Sequence, residues 1–166
     1  MSLYDVAVPT MKRTLLSLSE ILKKAEAFAE EKSIDPAVLI NARLAPDMFP
    51  LKRQIQIVSD AARRGAGRLA EVDVTPIEDT EESFAELQTR IATSIAFLDS
   101  LTPAQFEGAE DKTITLPVGG NELKFDGTTF LMAYAMANLS FHAVTAYNIL
   151  RHNGVVLGKM DYLGKP

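Results

Sequence analysis

The 166-residue sequence contains no cysteine. Disulfides, thiolate nucleophiles, iron–sulfur clusters and cysteine-type zinc sites are therefore excluded. Histidine is nearly absent too, with only His142 and His152, so a three-histidine metal site cannot form within one chain. There is no basic excess: 17 Lys and Arg stand against 22 Asp and Glu, a net charge of −5. That balance argues against nucleic acid as a partner, because such a partner calls for a basic face. No long hydrophobic run exists either. The most apolar stretch, Phe130 to Phe141, carries Asn138 and Ser140 and falls well short of the roughly 20 residues that cross a bilayer, so no membrane partner is expected. The segment MSLYDVAVPTMKR lacks the apolar core of a secretory signal, and the expectation is a cytoplasmic protein.

What remains is the balance of a globular protein, 47% hydrophobic and 23% charged residues, and one domain over 1–166 is expected. From Pro9 to Lys32, Met11, Leu15, Leu18, Leu22, Ala25 and Ala29 recur at steps of three and four, one face of an amphipathic helix. Pro36 opens a short helix over Ala37 to Asn41, and the two prolines of Leu44–Pro50 make a loop. A second long helix runs from Pro50 to about Ala70, with Leu51, Ile55, Val58, Ala62, Ala66 and Leu69 inward. After the acidic connector 71–79, Asp79 as N-cap with Glu82 three residues on predicts a capping box for a third helix ending near Ser100. Its core face is Phe84, Leu87, Ile91, Ile95 and Leu98. Five acids between Pro76 and Glu86 read as a solvated face that favours the helix N-terminus.

The period then changes from helical to alternating. Thr113–Val118 and Glu122–Phe125 flank Gly119-Gly120-Asn121, a small β-hairpin in which Pro117 confines its strand to an edge. Asp126-Gly127-Thr128-Thr129 caps a last helix that extends to Asn153-Gly154, and the apolar tail lies across the bundle. The fold class is all-α: four long helices with a hairpin between the third and fourth.

Chemistry can reside in few places. Along the last helix a polar stripe of Tyr134, Asn138, His142 and Thr145 runs amid apolar residues, and such groups need partners once buried. Three readings stand open for it: an internal hydrogen-bond network, a ligand or metal site, or an ordinary, partly exposed His142. On the second long helix Arg53, Gln56, Asp60 and Arg63 recur beside the apolar face. They form either a solvated flank or a polar wall facing Asn138 and His142, with Asp60 orienting His142 and Arg53 and Arg63 meeting an anionic ligand. His152 belongs to the last helical turn, where a cation suits the dipole. Phosphate-binding glycine loops, nucleophile elbows and paired-histidine zinc motifs are all absent.

The strings RLAPDMFPLKRQIQIVSDAARRGAGRLA, DTEESFAELQTRIATSIAFL and ANLSFHAVTAYNILRHNGVVLGKMDYLG resemble a family of uncharacterised bacterial proteins in the DinB/YfiT-like superfamily of metal-dependent enzymes. The resemblance covers nearly the whole chain. It implies a four-helix bundle in up-down-down-up order and a homodimer. Assigned activities in that superfamily include thiol-dependent S-transferases and an isomerase. The superfamily's metal site resembles one histidine on the second helix and an H-x-x-x-H pair on the fourth. Here the pair reads Asn138-x-x-x-His142, and the neighbourhood from Gln56 to Asp60 holds no histidine. Amides are poor ligands for zinc or nickel. No cofactor is assigned, and a divalent metal on His142, Asn138 and Asp60 would need an atypical ligand set. The expectation is a small-molecule pocket lined by Gln56, Asp60, Asn138, His142, Tyr134, Thr145 and Arg53. His142 and Asp60 would act as catalytic groups if the protein is an enzyme. The alternatives are a non-catalytic dimerisation bundle and a metal-dependent transferase.

Overall fold

The structure is a computed structural model that describes residues 2–164, so the ends of the expected 1–166 domain lie outside the described residues. Helix α1 spans Leu3–Lys32 and starts six residues before Pro9, the expected beginning. Ser2 and Asp5 form a capping box that satisfies its first donors. Pro9 sits inside the helix, and burial of Ala7, Val8 and Met11 offsets the backbone hydrogen bond it removes. A short α2, Pro36–Ile40, is capped by Asp35 with Pro36 in its first turn. Helix α3 follows at Leu51–Ala70, and α4 at Phe84–Asp99.

The start of α4 corrects the expected cap. Ser83, not Asp79, is the N-cap, and Glu86 completes the box, accepting from the Ser83 backbone N–H at 3.0 Å. Serine suits this role because its hydroxyl both accepts from the third helical N–H and leaves the box's glutamate free to reach back. Asp79 is released to pair elsewhere. The acids before α4 are not all solvated either: Glu81 is buried.

Two 3₁₀ turns, Pro103–Phe106 and Ala109–Asp111, lead into β1 (Thr113–Val118), which pairs antiparallel with β2 (Asn121–Asp126). Ile114 and Leu116 point into the core while Thr113, Thr115 and Pro117 face out, as alternation demands. Asp126 then caps the last helical run by accepting from the Thr129 N–H at 2.8 Å. Gly127 opens it because a Cβ there would lie 1.8 Å from the Ala109 carbonyl oxygen.

The last run has three parts: α5 (Gly127–Thr129), a π-helical stretch (Phe130–Ala135) and α6 (Met136–His152). The wide π turns were not expected from the sequence. α7 (Lys159–Leu163) folds back on α1, tied by Lys24 to Asp161 at 2.6 Å.

α3 packs against both α4 and α6, and α1 packs against the same two helices. Every residue assigned to the inner faces of α1 and α3 is buried, and in α4 only Ile95 is left partly exposed. The result is a mostly helical fold with one two-stranded antiparallel sheet. Among the described residues no helix is long and apolar enough to cross a membrane.

Candidate functional site

Helix α3 carries polar side chains on two of its faces, and the helices flanking it divide them. On the α4 side, Arg90 is almost fully buried and bonds three carboxylates: Asp60 at 3.0 Å, Asp79 at 3.0 Å and Glu81 at 2.9 Å. Gln56, itself buried, donates to the other Glu81 oxygen at 2.8 Å. Burial alone would raise the Glu81 pKa, but hydrogen bonds from Arg90 and Gln56 hold it below the usual carboxylate range. Arg63 reaches Asp60 at 2.7 Å and the Thr75 carbonyl at 2.8 Å. Arg53 pairs with Asp79.

This network corrects the expected wall. Gln56 faces Glu81 rather than His142, and Asp60 is committed to Arg63, Arg64 and Arg90. It does not orient the histidine. The solvated-flank reading fails as well, since Gln56 and Arg63 are buried.

On the α6 side, His142 is half-buried and its Nδ1 lies 2.7 Å from Gln54 Oε1. Gln54 is buried, and its Nε2 donates to the Phe49 carbonyl at 3.0 Å. That second bond fixes which way the amide points. Oε1 must therefore accept, so His142 carries its proton on Nδ1 and leaves the Nε2 lone pair free. Burial lowers the His142 pKa, and the Arg53 charge lowers it further, so the ring is neutral near pH 7. Phe141 meets the imidazole edge-on at 5.1 Å, and Arg53 lies over the Phe49 ring at 5.8 Å. Both phenylalanines are exposed beside the site.

One helical turn before His142, Asn138 and then Tyr134 line a groove of about 390 Å³ between α3, the hairpin and the π-helical stretch. Arg53, Asp60, Arg64 and Arg68 line its α3 side. The Tyr134 ring stacks on Phe130 at 6.1 Å and tilts against Phe125 at 5.7 Å, which anchors the hairpin beside the groove. π-helical turns recur at functional sites because they displace side chains from ordinary helical register. Here Phe130, Tyr134 and Ala135 of that stretch all line the groove. Thr145 takes no part: it is buried and donates to the Phe141 carbonyl of its own helix at 2.7 Å.

Residues 3–163 match the family described as Domain of unknown function (DUF1993). The chain belongs to the DUF1993 family. This DUF1993 chain is also similar to the crystal structure of a DinB family member protein from Shewanella denitrificans. The identity is 44% and the TM-score 0.92, over 99% of this chain and 93% of that one. The DinB-like resemblance of the sequence is thereby shown. No curated protein matches.

The divalent metal that the superfamily implies does not fit the donors of this DUF1993 site. Gln54 Oε1 is taken by the imidazole, Asp60 by three guanidinium groups, and His142 Nε2 is left as a single nitrogen donor. Among the described residues no three His, Asp or Glu side chains are placed to hold a metal ion.

Two residues that sequence reasoning missed, Gln54 and Arg90, organise the two polar regions. Both had a legible signal. Gln54 stands three residues after Leu51 and four before Val58, and Arg90 stands three after Leu87, so each is a polar residue at core spacing.

Proposed function

We propose that this protein binds a small organic molecule in the groove between α3 and the last helical run, with the His142 Nε2 lone pair as the acceptor at one end. The reading rests on one observation above the rest: the Gln54 amide, itself locked by the Phe49 carbonyl, holds the imidazole in the Nδ1–H form. A histidine needed merely to fill space requires no such orientation. One that must accept a proton or a hydrogen bond at a defined atom does. Tyr134 and Asn138 would position the ligand, and the aromatic packing of Phe125, Phe130 and Tyr134 would keep that wall rigid. In a catalytic version of this reading His142 is the general base, and the positioning residue is Gln54 in place of Asp60. The DinB-like likeness supports an up-down-down-up arrangement of the four long helices, which sets such a groove between neighbouring helices.

The test is a fragment screen by NMR on the full chain with labelled histidine and tyrosine side chains. Binders should shift His142 and Tyr134 resonances together and lose affinity in His142→Ala. Binders that leave both resonances unmoved, or a screen in which nothing perturbs the groove, would overturn the reading.

A further inference from the structure

The groove's charges do not balance. Arg64 and Arg68 lie four residues apart on α3, where like charges are neighbours and repel. Arg64 shares Asp60, at 3.2 Å, with Arg63 and Arg90, so one carboxylate serves three guanidinium groups. Arg68 has no ion pair among the described residues. Its one hydrogen bond, to the Arg64 carbonyl, is a long 3.4 Å. On its far side Glu71 is engaged by Lys112 at 3.0 Å, and Asp73 lines that concavity without pairing with it. Across the groove, the Tyr134 hydroxyl and the Asn138 amide make no side-chain hydrogen bond among the described residues. All this excess positive charge sits in a protein whose overall charge is −5. Beside it the groove is apolar, lined by Leu116, Pro117 and Phe130.

Resting on the small-molecule reading above, we propose that the groove's ligand is an oxyanion, a carboxylate or phosphate, carrying a compact apolar group. The anion lies between Arg64 and Arg68, within reach of the Tyr134 hydroxyl and the Asn138 amide, and the apolar group rests on Leu116, Pro117 and Phe130. Arginine is the appropriate cation, because its planar fork matches two oxygens at once. The volume of about 390 Å³ sets the size: one ring or a short branched chain, not a nucleotide with its full phosphate tail. Desolvation by the surrounding protein and the Arg64 charge both lower the Arg68 pKa, with Tyr134 acting in the opposite sense.

The experiment is calorimetric titration of the full chain with benzoate, phenyl phosphate, inorganic phosphate and neutral benzyl alcohol, in wild type, Arg68→Gln and Tyr134→Phe. NMR of the tyrosine side chains reports occupancy. Arg68 is exposed, so its variant keeps the fold, which circular dichroism checks. Benzoate or phenyl phosphate should bind at least tenfold more tightly than benzyl alcohol and shift the Tyr134 signals. The one preferred distinguishes carboxylate from phosphate. Arg68→Gln should weaken that binding tenfold or more, Tyr134→Phe severalfold, and added salt should weaken it further. Inorganic phosphate should bind more weakly than phenyl phosphate, and equal binding would overturn the apolar half of the proposal. Anion binding that survives Arg68→Gln unchanged would overturn the anionic half. So would benzyl alcohol binding as tightly as benzoate while shifting Tyr134, but the small-molecule reading would then stand. If no compound of either charge perturbs Tyr134, both fall.

Discussion

Gln54 and His142, 88 positions apart in the chain, share one 2.7 Å hydrogen bond that decides the histidine's tautomer. The Phe49 carbonyl settles the amide, the amide settles the ring, and the ring keeps its lone pair on Nε2. The order of control runs from backbone to amide to imidazole. A substitution at Gln54 should therefore be read at His142.

The His142 pKa gives the first test. Its folded value lies below the unfolded value of about 6.5. A depressed histidine contributes stability that is fully present above the unfolded value and is lost as pH falls through the folded one. Urea unfolding between pH 7.5 and 5.5 should show stability falling with pH in wild type, with this component missing in His142→Ala. Gln54→Glu should reverse it by placing a carboxylate on Nδ1–H, raising the pKa. A raised pKa in the wild-type NMR titration would refute the arrangement. At pH 7.5, His142→Ala should also cost about 1–3 kcal/mol, because it leaves the buried Gln54 oxygen without its donor.

Arg90 gives the second. Arg90→Met should destabilise the fold by about 3 kcal/mol, since it strands Glu81 and part of Asp60 in a poorly solvated site. Lys52→Met, which removes the ion-pair partner of the exposed Glu82, should cost under about 1 kcal/mol. Equal losses in chemical denaturation would show that burial of the Arg90 network has no energetic consequence.

Metal binding gives the third. Protein purified without an affinity tag should carry substoichiometric zinc, nickel and manganese by elemental analysis, and added metal should not raise Tm in a His142-dependent way. The reason is the donor set: one imidazole nitrogen, with no group of three His, Asp or Glu side chains placed to hold a metal among the described residues. Stoichiometric metal that disappears in His142→Ala would overturn this.

Much of the fold was legible in the residue order because helical burial is a local, periodic property. Met11 through Ala29 and Leu51 through Leu69 point inward whatever they pack against, and the hairpin follows from alternation around Gly119-Gly120. The α4 cap lies four residues beyond Asp79 because Ser83 with Glu86 closes the box, while Asp79 pairs with Arg53 and Arg90. The α6 half of the site was legible as a polar stripe: Tyr134 and Asn138 line the groove, and His142, one turn on, meets Gln54 of α3. The α3 half was not. Each residue step turns a helix by about 100°, so whether Gln54, Gln56 or Asp60 meets His142 depends on how α3 is rotated against α6. Apolar spacing leaves that rotation undetermined at the level of single polar partners. Docking of the helices decided it, sending Gln56 and Asp60 to Arg90 and bringing Gln54 to the imidazole.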